Sequence, residues 1–304
     1  MPPDIPGTEP GLPGNGQTND TDTMTGQPDT HPTDPGAPTA APKGLPPKVE
    51  IDVQHVILVL SGKGGVGKST VAANLASALS AHGRNVGLLD LDIHGPSIPK
   101  MLGIEDQHPV VTGTTMEPVH VTGTLSVMSM AFLLPDTSTP VIWRGPMKIS
   151  AIRQFLAEVN WGALDYLVVD LPPGTGDEAL TIFQLAPSVQ GAVIVTTPQD
   201  VATLDSRKAI KFVEKLGLPV LGVIENMSGM ICPHCKKEID LFGKGGGKKI
   251  AEEFSVPFLG AIPIDGEMRR AGDEGRPFVL RHTGSLTETA VNAVMENLIN
   301  QVES

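Results

Sequence analysis

The hydropathy pattern changes character at Val53. Before it, residues 1–48 are dominated by Pro, Gly, Thr and Asp, with hardly a large apolar side chain. Such a segment cannot bury enough surface to offset an ordering cost of roughly 1–2 kcal/mol per residue, so a disordered tail is expected over 1–48 and a single folded domain over 49–304. After it, short aliphatic runs (VQHVILVL, NVGLLDLD, DYLVVD, GAVIVTT, PVLGVIEN) alternate with stretches of helical period. That alternation is the signature of βαβ units and predicts an α/β fold: a mostly parallel, twisted sheet flanked by helices on both faces. Helices are predicted from Lys68 to about Ala81, ended by His82 and Gly83, from about 201 to 216, and from about 285 to 302. MEPVHV and LSVMSM read as short strands, and Ile152, Phe155, Leu156 and Val159 mark the apolar side of another helix. The last helix places Leu286, Val291, Val294, Met295, Leu298, Ile299 and Val302 on one side and carries Glu288, Glu296 and Glu303 but no lysine or arginine. A membrane-surface helix would be basic on its polar face, so this one is expected to pack on its own domain.

Composition narrows the partners. Hydrophobic residues make up 40% of the 304 residues and aromatic ones only 4%, so the core should be aliphatic. A formal net charge of −12 argues against nucleic acid, because a sequence-independent grip needs clustered Lys and Arg on the phosphates. No apolar stretch approaches the roughly 20 residues needed to span a bilayer, and no membrane partner is expected. Two cysteines cannot form a disulfide framework, and the N-terminus shows no basic-then-apolar leader. A reducing cytoplasm is the expected location.

The chemistry concentrates in Ser61–Thr70, SGKGGVGKST. Gly62, Gly67, Lys68 and Ser69 satisfy GxxxxGK[ST] directly after an apolar strand and at the start of a helix, the context a phosphate-binding loop requires. Glycine is needed where backbone N–H groups must approach phosphate and where φ turns positive. Gly62 through Thr70, including Lys63, Gly64, Gly65 and Val66, is therefore the predicted nucleotide cradle of a P-loop NTPase. Lys68 is expected on the β- and γ-phosphates and Ser69 on Mg²⁺. Asp170 ends the strand DYLVVD, where a carboxylate stands near Mg²⁺, and LPPGTG beyond it is the expected sensor of the γ-phosphate, with Gly174 and Gly176 allowing it to rearrange. Asp90 and Asp92 close a neighbouring strand. Because ligands lie beyond the carboxyl ends of such strands, Asp92 is the candidate to orient the attacking water and Asp90 to position Mg²⁺ or the loop. Asp177 is expected to cap the next helix. Arg144 could serve nucleotide, partner subunit or a neighbouring loop.

The only cysteines, Cys232 and Cys235, form CPHC. CxxC offers two thiolates to a soft metal from one tight turn, half of a four-cysteine set; a symmetric dimer would supply four. A zinc site using His234 and a redox dithiol are the alternatives. The dithiol lacks its usual place at a helix start after a strand, and His234, between the cysteines, is poorly placed to reach a metal they share. FGKGGGKK looks like a second phosphate loop but lacks the GK[ST] ending, and reads as a connector or helix start.

Lys63 gives KGGVGKST a second lysine, which resembles the deviant P-loop of dimeric ATPases. Together with DLDIHGPSIP, VIWRGPM, DYLVVDLPPGTGD, VTTPQDVATLD, ENMSGMICPHC, FGKGGGKKIAEE and IPID, it makes about residues 50–282 similar to the Mrp/ApbC-type iron–sulfur cluster carriers. The resemblance implies a homodimer in which Lys63 reaches the partner's nucleotide. It implies ATP binding and hydrolysis with Mg²⁺, Asn226 on the adenine edge, and Pro263 to Asp265 packed on the ring. It also implies a labile [4Fe-4S] cluster held between paired CxxC motifs, received from scaffold proteins and delivered to apo iron–sulfur proteins. Some relatives carry an N-terminal four-cysteine cluster site; the cysteine count leaves no room for one here. The rival class is a positioning or scaffold ATPase of the septum-site or partition type, without a cluster, and a nitrogenase-like reductase is third.

Overall fold

The computed structural model describes residues 48–304 except 94, 135–144, 233 and 236. The tail expected up to residue 47 and Arg144 lie outside the described residues. The chain runs through β1 (Val53–Leu60), α1 (Lys68–Ala81), β2 (Val86–Asp90), α2 (Ile98–Leu102) and the short strands β3 (Val110–Thr112), β4 (Thr115–Glu117), β5 (Val119–Thr122) and β6 (Leu125–Ser129). It continues with α3 (Gly145–Ala157), β7 (Leu164–Asp170), α4 (Asp177–Leu185), β8 (Val189–Thr196), α5 (Asp200–Lys215), β9 (Val220–Ile231) and β10 (Glu238–Ile239). Then follow α6 (Gly246–Phe254), β11 (Phe258–Ile264), α7 (Gly266–Asp273), α8 (Phe278–Arg281) and α9 (Leu286–Val302).

The main sheet has the order β5-β6-β2-β7-β1-β8-β9, with β10 and β11 both on β9. All its pairings are parallel except β5 with β6 and β9 with β10. Alternate residues of each central strand feed two cores. Ile57, Val59, Tyr166, Val168, Val193 and Val195 meet α1, α2, α7, α8 and α9 on one face. Val56, Leu58, Leu60, Leu167, Val169 and Ile194 meet α3, α4, α5 and α6 on the other. Helix α1 is buried almost all round, which is why Ala and Ser recur where an exposed helix would show charge. The expected apolar side of α9 lies in the core through Val291, Val294, Met295 and Leu298, with Ile299 and Val302 partly buried against it, but Leu286 at the helix start is exposed, contrary to expectation.

Two further expectations need correction. Asp177 does not cap α4: the cap position belongs to Gly176, no side-chain cap bond forms, and Asp177 sits in the first turn, where its charge opposes the helix dipole favourably instead. Strand β9 does not stop at Asn226 but continues to Ile231, because β11 pairs alongside it from Phe258↔Val223 to Ile264↔Met230. The continuation is kinked at Met227, whose φ of 57° is left-handed, a conformation that costs a non-glycine residue free energy and persists only where its surroundings impose it.

Candidate functional site

The P-loop forms where the sequence places it. Gly67 takes φ 80° and precedes α1 as its cap residue, so the first N–H groups of α1 open onto the loop. A Cβ on Gly62 would overlap the Asp205 carbonyl and approach Ser206 N to 2.6 Å; α5 lies directly on the loop. A Cβ on Gly67 would overlap the Asn226 amide nitrogen, which donates to Val66 O at 2.9 Å. Ser61 donates from Oγ to Lys63 O at 3.0 Å, and its own carbonyl accepts Gly174 N–H at 2.8 Å. The LPPGTG loop is thereby tied to the P-loop, and Pro173 joins Lys63, Lys68, Ser69, Thr70 and Asp92 in lining a cavity of about 190 Å³.

Strand order brings the carboxylates together. Asp90 and Asp170 are register partners on neighbouring strands, both fully buried, and Lys68 bridges towards them from the loop. Its Nζ lies 2.6 Å from Asp170 Oδ1, 3.8 Å from Asp92 Oδ2 and 3.3 Å from Ser69 Oγ. Asp90 accepts from Ser129 Oγ at 2.8 Å and from Asp92 N–H at 3.1 Å, so it fixes the backbone that carries Asp92. Asp170 and Asp92 thus both approach one ammonium, and Asp90 stands behind them on the neighbouring strand. Burial raises the Asp90 carboxyl to about 8, with the neighbouring Asp170 charge adding to the effect. Burial also raises Asp170, against the opposing pull of Lys68. Asp170 Oδ2 is buried with no hydrogen-bond partner. A negative excess and an orphaned carboxylate oxygen beside Ser69 are the donor set a Mg²⁺ ion fits, since it takes one or two carboxylates and completes its shell with water and phosphate. No group of three His, Cys, Asp or Glu side chains that could hold a metal occurs among the described residues.

Lys63 is half-buried at the cavity wall, and among the described residues no carboxylate pairs with its ammonium. Asn226 and Ile262 are register partners on β9 and β11, which puts Asn226 next to Pro263 as the resemblance implies. Its amide donor, however, is engaged by Val66 O. Asp265 caps α7, accepting Glu267 N–H at 2.7 Å, and accepts Thr287 Oγ1 at 2.7 Å.

The cysteines sit on a hairpin that grows out of β9. Cys232 N–H donates to Lys237 O at 2.9 Å, and Glu238 of β10 pairs with Ile231. Cys232 is partly buried and Cys235 exposed. Cys232 shares a cavity of about 380 Å³ with Pro263, Asp265, Arg270, Leu286 and Thr287, so the hairpin and the Pro263–Asp265 loop face one space. Ile231, Leu241 and Phe242 are exposed around the hairpin, and Val201 and Leu204 beside the P-loop on α5. In the sequence these two are masked by the charges of the same helix, Asp205, Arg207, Lys208, Lys211, Glu214 and Lys215. Glu225 shows in the sequence only as a lone acid inside an apolar strand.

A buried Lys–Asp pair beneath a glycine loop, at the carboxyl edge of a parallel sheet, defines a P-loop NTPase. Comparison with known proteins specifies which: the ParA-type model described as "NUBPL iron-transfer P-loop NTPase" matches residues 52–299. The chain belongs to that family. It is 51% identical over 251 residues to the iron-sulfur cluster carrier protein of Methanocaldococcus jannaschii, covering 83% of this chain and 86% of the relative. It is 49% identical over 253 residues to the protein so named in Saccharolobus solfataricus, with the same coverage. Among solved structures, a nucleotide-binding protein from Archaeoglobus fulgidus in complex with ADP aligns with a TM-score of 0.66 at 40% identity, covering 78% of this chain and 95% of that one. The MinD cell division protein of Aquifex aeolicus aligns at 0.57 and 22% identity, over 81% of this chain and 98% of that one, a likeness of fold.

Proposed function

We propose that the chain is an ATP-hydrolysing carrier whose cargo is a labile [4Fe-4S] cluster, held between the Cys232 and Cys235 thiolates of two copies and passed to apo iron–sulfur proteins. One observation carries this reading: the only two cysteines stand together on a hairpin, and no third metal-ligating side chain joins them among the described residues. A four-ligand site then takes a second copy. The relatives named as iron-sulfur cluster carriers support the same reading, and thiolates of this kind suit a reducing compartment such as the cytoplasm.

In this reading the loop N–H groups and the α1 N-terminus bind the phosphates, and Lys68 exchanges Asp170 for the β- and γ-phosphate oxygens. Asp170, Ser69 and, through its hold on the loop, Asp90 serve the Mg²⁺ ion, which neutralises developing charge on the phosphates when bound. Asp92 orients the attacking water. The Gly174 N–H bond to Ser61 O ties the phosphate sensor to the loop it reports on. Lys63 turns to the partner copy's nucleotide, and Asn226 with Pro263 and Asp265 forms the base end of the site. Domain organisation follows: a tail over 1–48 and one ATPase domain over 49–304.

Anaerobic reconstitution of the wild type and of a C232A/C235A variant tests the cargo. The wild type should hold about four irons per two chains, with a broad visible absorbance, and the variant none. Equal iron in both proteins would end the cluster reading.

A further inference from the structure

Glu225 is fully buried in β9, one residue before Asn226. A lone buried carboxylate is costly unless its oxygens are bonded, and here they are. Oε1 accepts Ser228 Oγ at 2.6 Å and Gly245 N–H at 2.9 Å, and Oε2 accepts Gly247 N–H at 2.6 Å. Gly245 is the cap residue of α6 and Gly247 lies in its first turn. The glycine-rich GKGGGKK loop does form an anion-binding helix start, and the chain's own Glu225 fills it. The loop has no slack on its other side, since a Cβ on Gly246 would overlap the Pro198 carbonyl.

Two further contacts make this clamp more than a local cap. Asn226, the next residue, donates to Val66 O in the P-loop, and Met227 after it holds its left-handed turn with its methyl 3.5 Å from where a Gly67 Cβ would stand. On the far side Lys244, from the loop Glu225 holds, lies across Gly229 and pairs with Glu238 of β10, the strand that closes the cysteine hairpin. A path of buried and partly buried hydrogen bonds, joined by adjacent backbone and one exposed ion pair, therefore runs from the phosphate loop to the hairpin.

We propose that Glu225 is a positioning residue that couples the two ends of the molecule: by holding the α6 loop, and through Lys244 and Glu238 the β9–β10 hairpin, it makes the placement of Cys232 and Cys235 follow the P-loop contact of Asn226. The proposal rests on the cluster-carrier reading for its biological use, but not for its geometry.

The test uses the cluster-free full chain and the rate at which a maleimide labels the cysteines, alone and with Mg-ADP or a non-hydrolysable Mg-ATP analogue. In the wild type, nucleotide should change the rate several-fold. In Glu225→Gln the amide NH₂ must face the N–H of either Gly245 or Gly247, whichever way the amide turns, so the clamp opens. That variant should still bind nucleotide, yet label at a rate that nucleotide no longer changes. A purely structural role would lower the melting temperature and leave the nucleotide response in place. Lys244→Ala, an exposed change that leaves the buried carboxylate bonded, guards against misfolding: it should reduce the response at an unaltered melting temperature. A wild-type response that persists in both variants, or a wild type with none, overturns the proposal. Neither result touches the iron content that decides the carrier reading.

Discussion

Removing the Lys68 ammonium should steepen the pH dependence of the protein's stability. Asp170 is fully buried, its Oδ1 is 2.6 Å from Lys68 Nζ and its Oδ2 has no partner. In Lys68→Met the carboxylate would lose its counter-ion while keeping its burial, and breaking a buried pair in this way costs about 3–5 kcal/mol. Protonation offers an escape. An aspartate with an unfolded-state pKa of about 3.9 takes up a proton at pH 7 for about 4 kcal/mol, and at pH 5 for only about 1.5 kcal/mol. Over this window the folded variant holds one more proton than the unfolded chain, so its stability falls by about 1.4 kcal/mol for each unit of rising pH. The destabilisation relative to wild type should therefore grow with pH, from at most about 1.5 kcal/mol at pH 5 to at most about 4 kcal/mol at pH 7, reduced by the upward shift Asp170 already has in the wild type. The Lys68→Met, Asp170→Asn double variant, with no buried charge to neutralise, should recover most of it. Urea unfolding of nucleotide-free protein at pH 5, 6 and 7 measures all three. A destabilisation that is the same at every pH, or a double variant no more stable than the single one, would refute the account of Lys68 as the counter-charge of this cluster.

Two further outcomes follow from the same site. Asp90, raised to about 8 by burial and then by Asp170, keeps its proton in the folded state while the unfolded chain releases it near 4, so it erodes stability as pH rises between those values. Asp90→Asn should remove that slope and stabilise the nucleotide-free protein more at pH 8 than at pH 6, by up to about 2.7 kcal/mol; thermal melts showing an equal effect at both would contradict this. Gly62→Ala places a methyl group against the Asp205 carbonyl and must push α5 off the P-loop, an overpacking worth about 1–3 kcal/mol. ADP titration should show affinity falling along with the urea midpoint, and an unchanged midpoint would mean the contact yields freely.

The parts of this molecule that follow from adjacent residues were legible in the chain. SGKGGVGKST needs only its own glycines and the strand before it to form a phosphate cradle, and α1 ends at Ala81 because His82 and Gly83 end it. The alternation of apolar runs and helices announced a mostly parallel sheet without specifying the strand order. That order places β7 between β1 and β2, and so puts Asp170 beside Asp90 and under Lys68, which lies 102 positions earlier in the chain. No local pattern contains that proximity, because it depends on which strands pair. Strand β9 shows the limit most plainly: the apolar run ends at Asn226, yet β11 extends the pairing past it, and α6, distant in sequence, brings two N–H groups to the Glu225 carboxylate. Residue chemistry named the groups that could bind phosphate and metal. Burial, pairing and the desolvation that comes with them decided which of those groups hold one another.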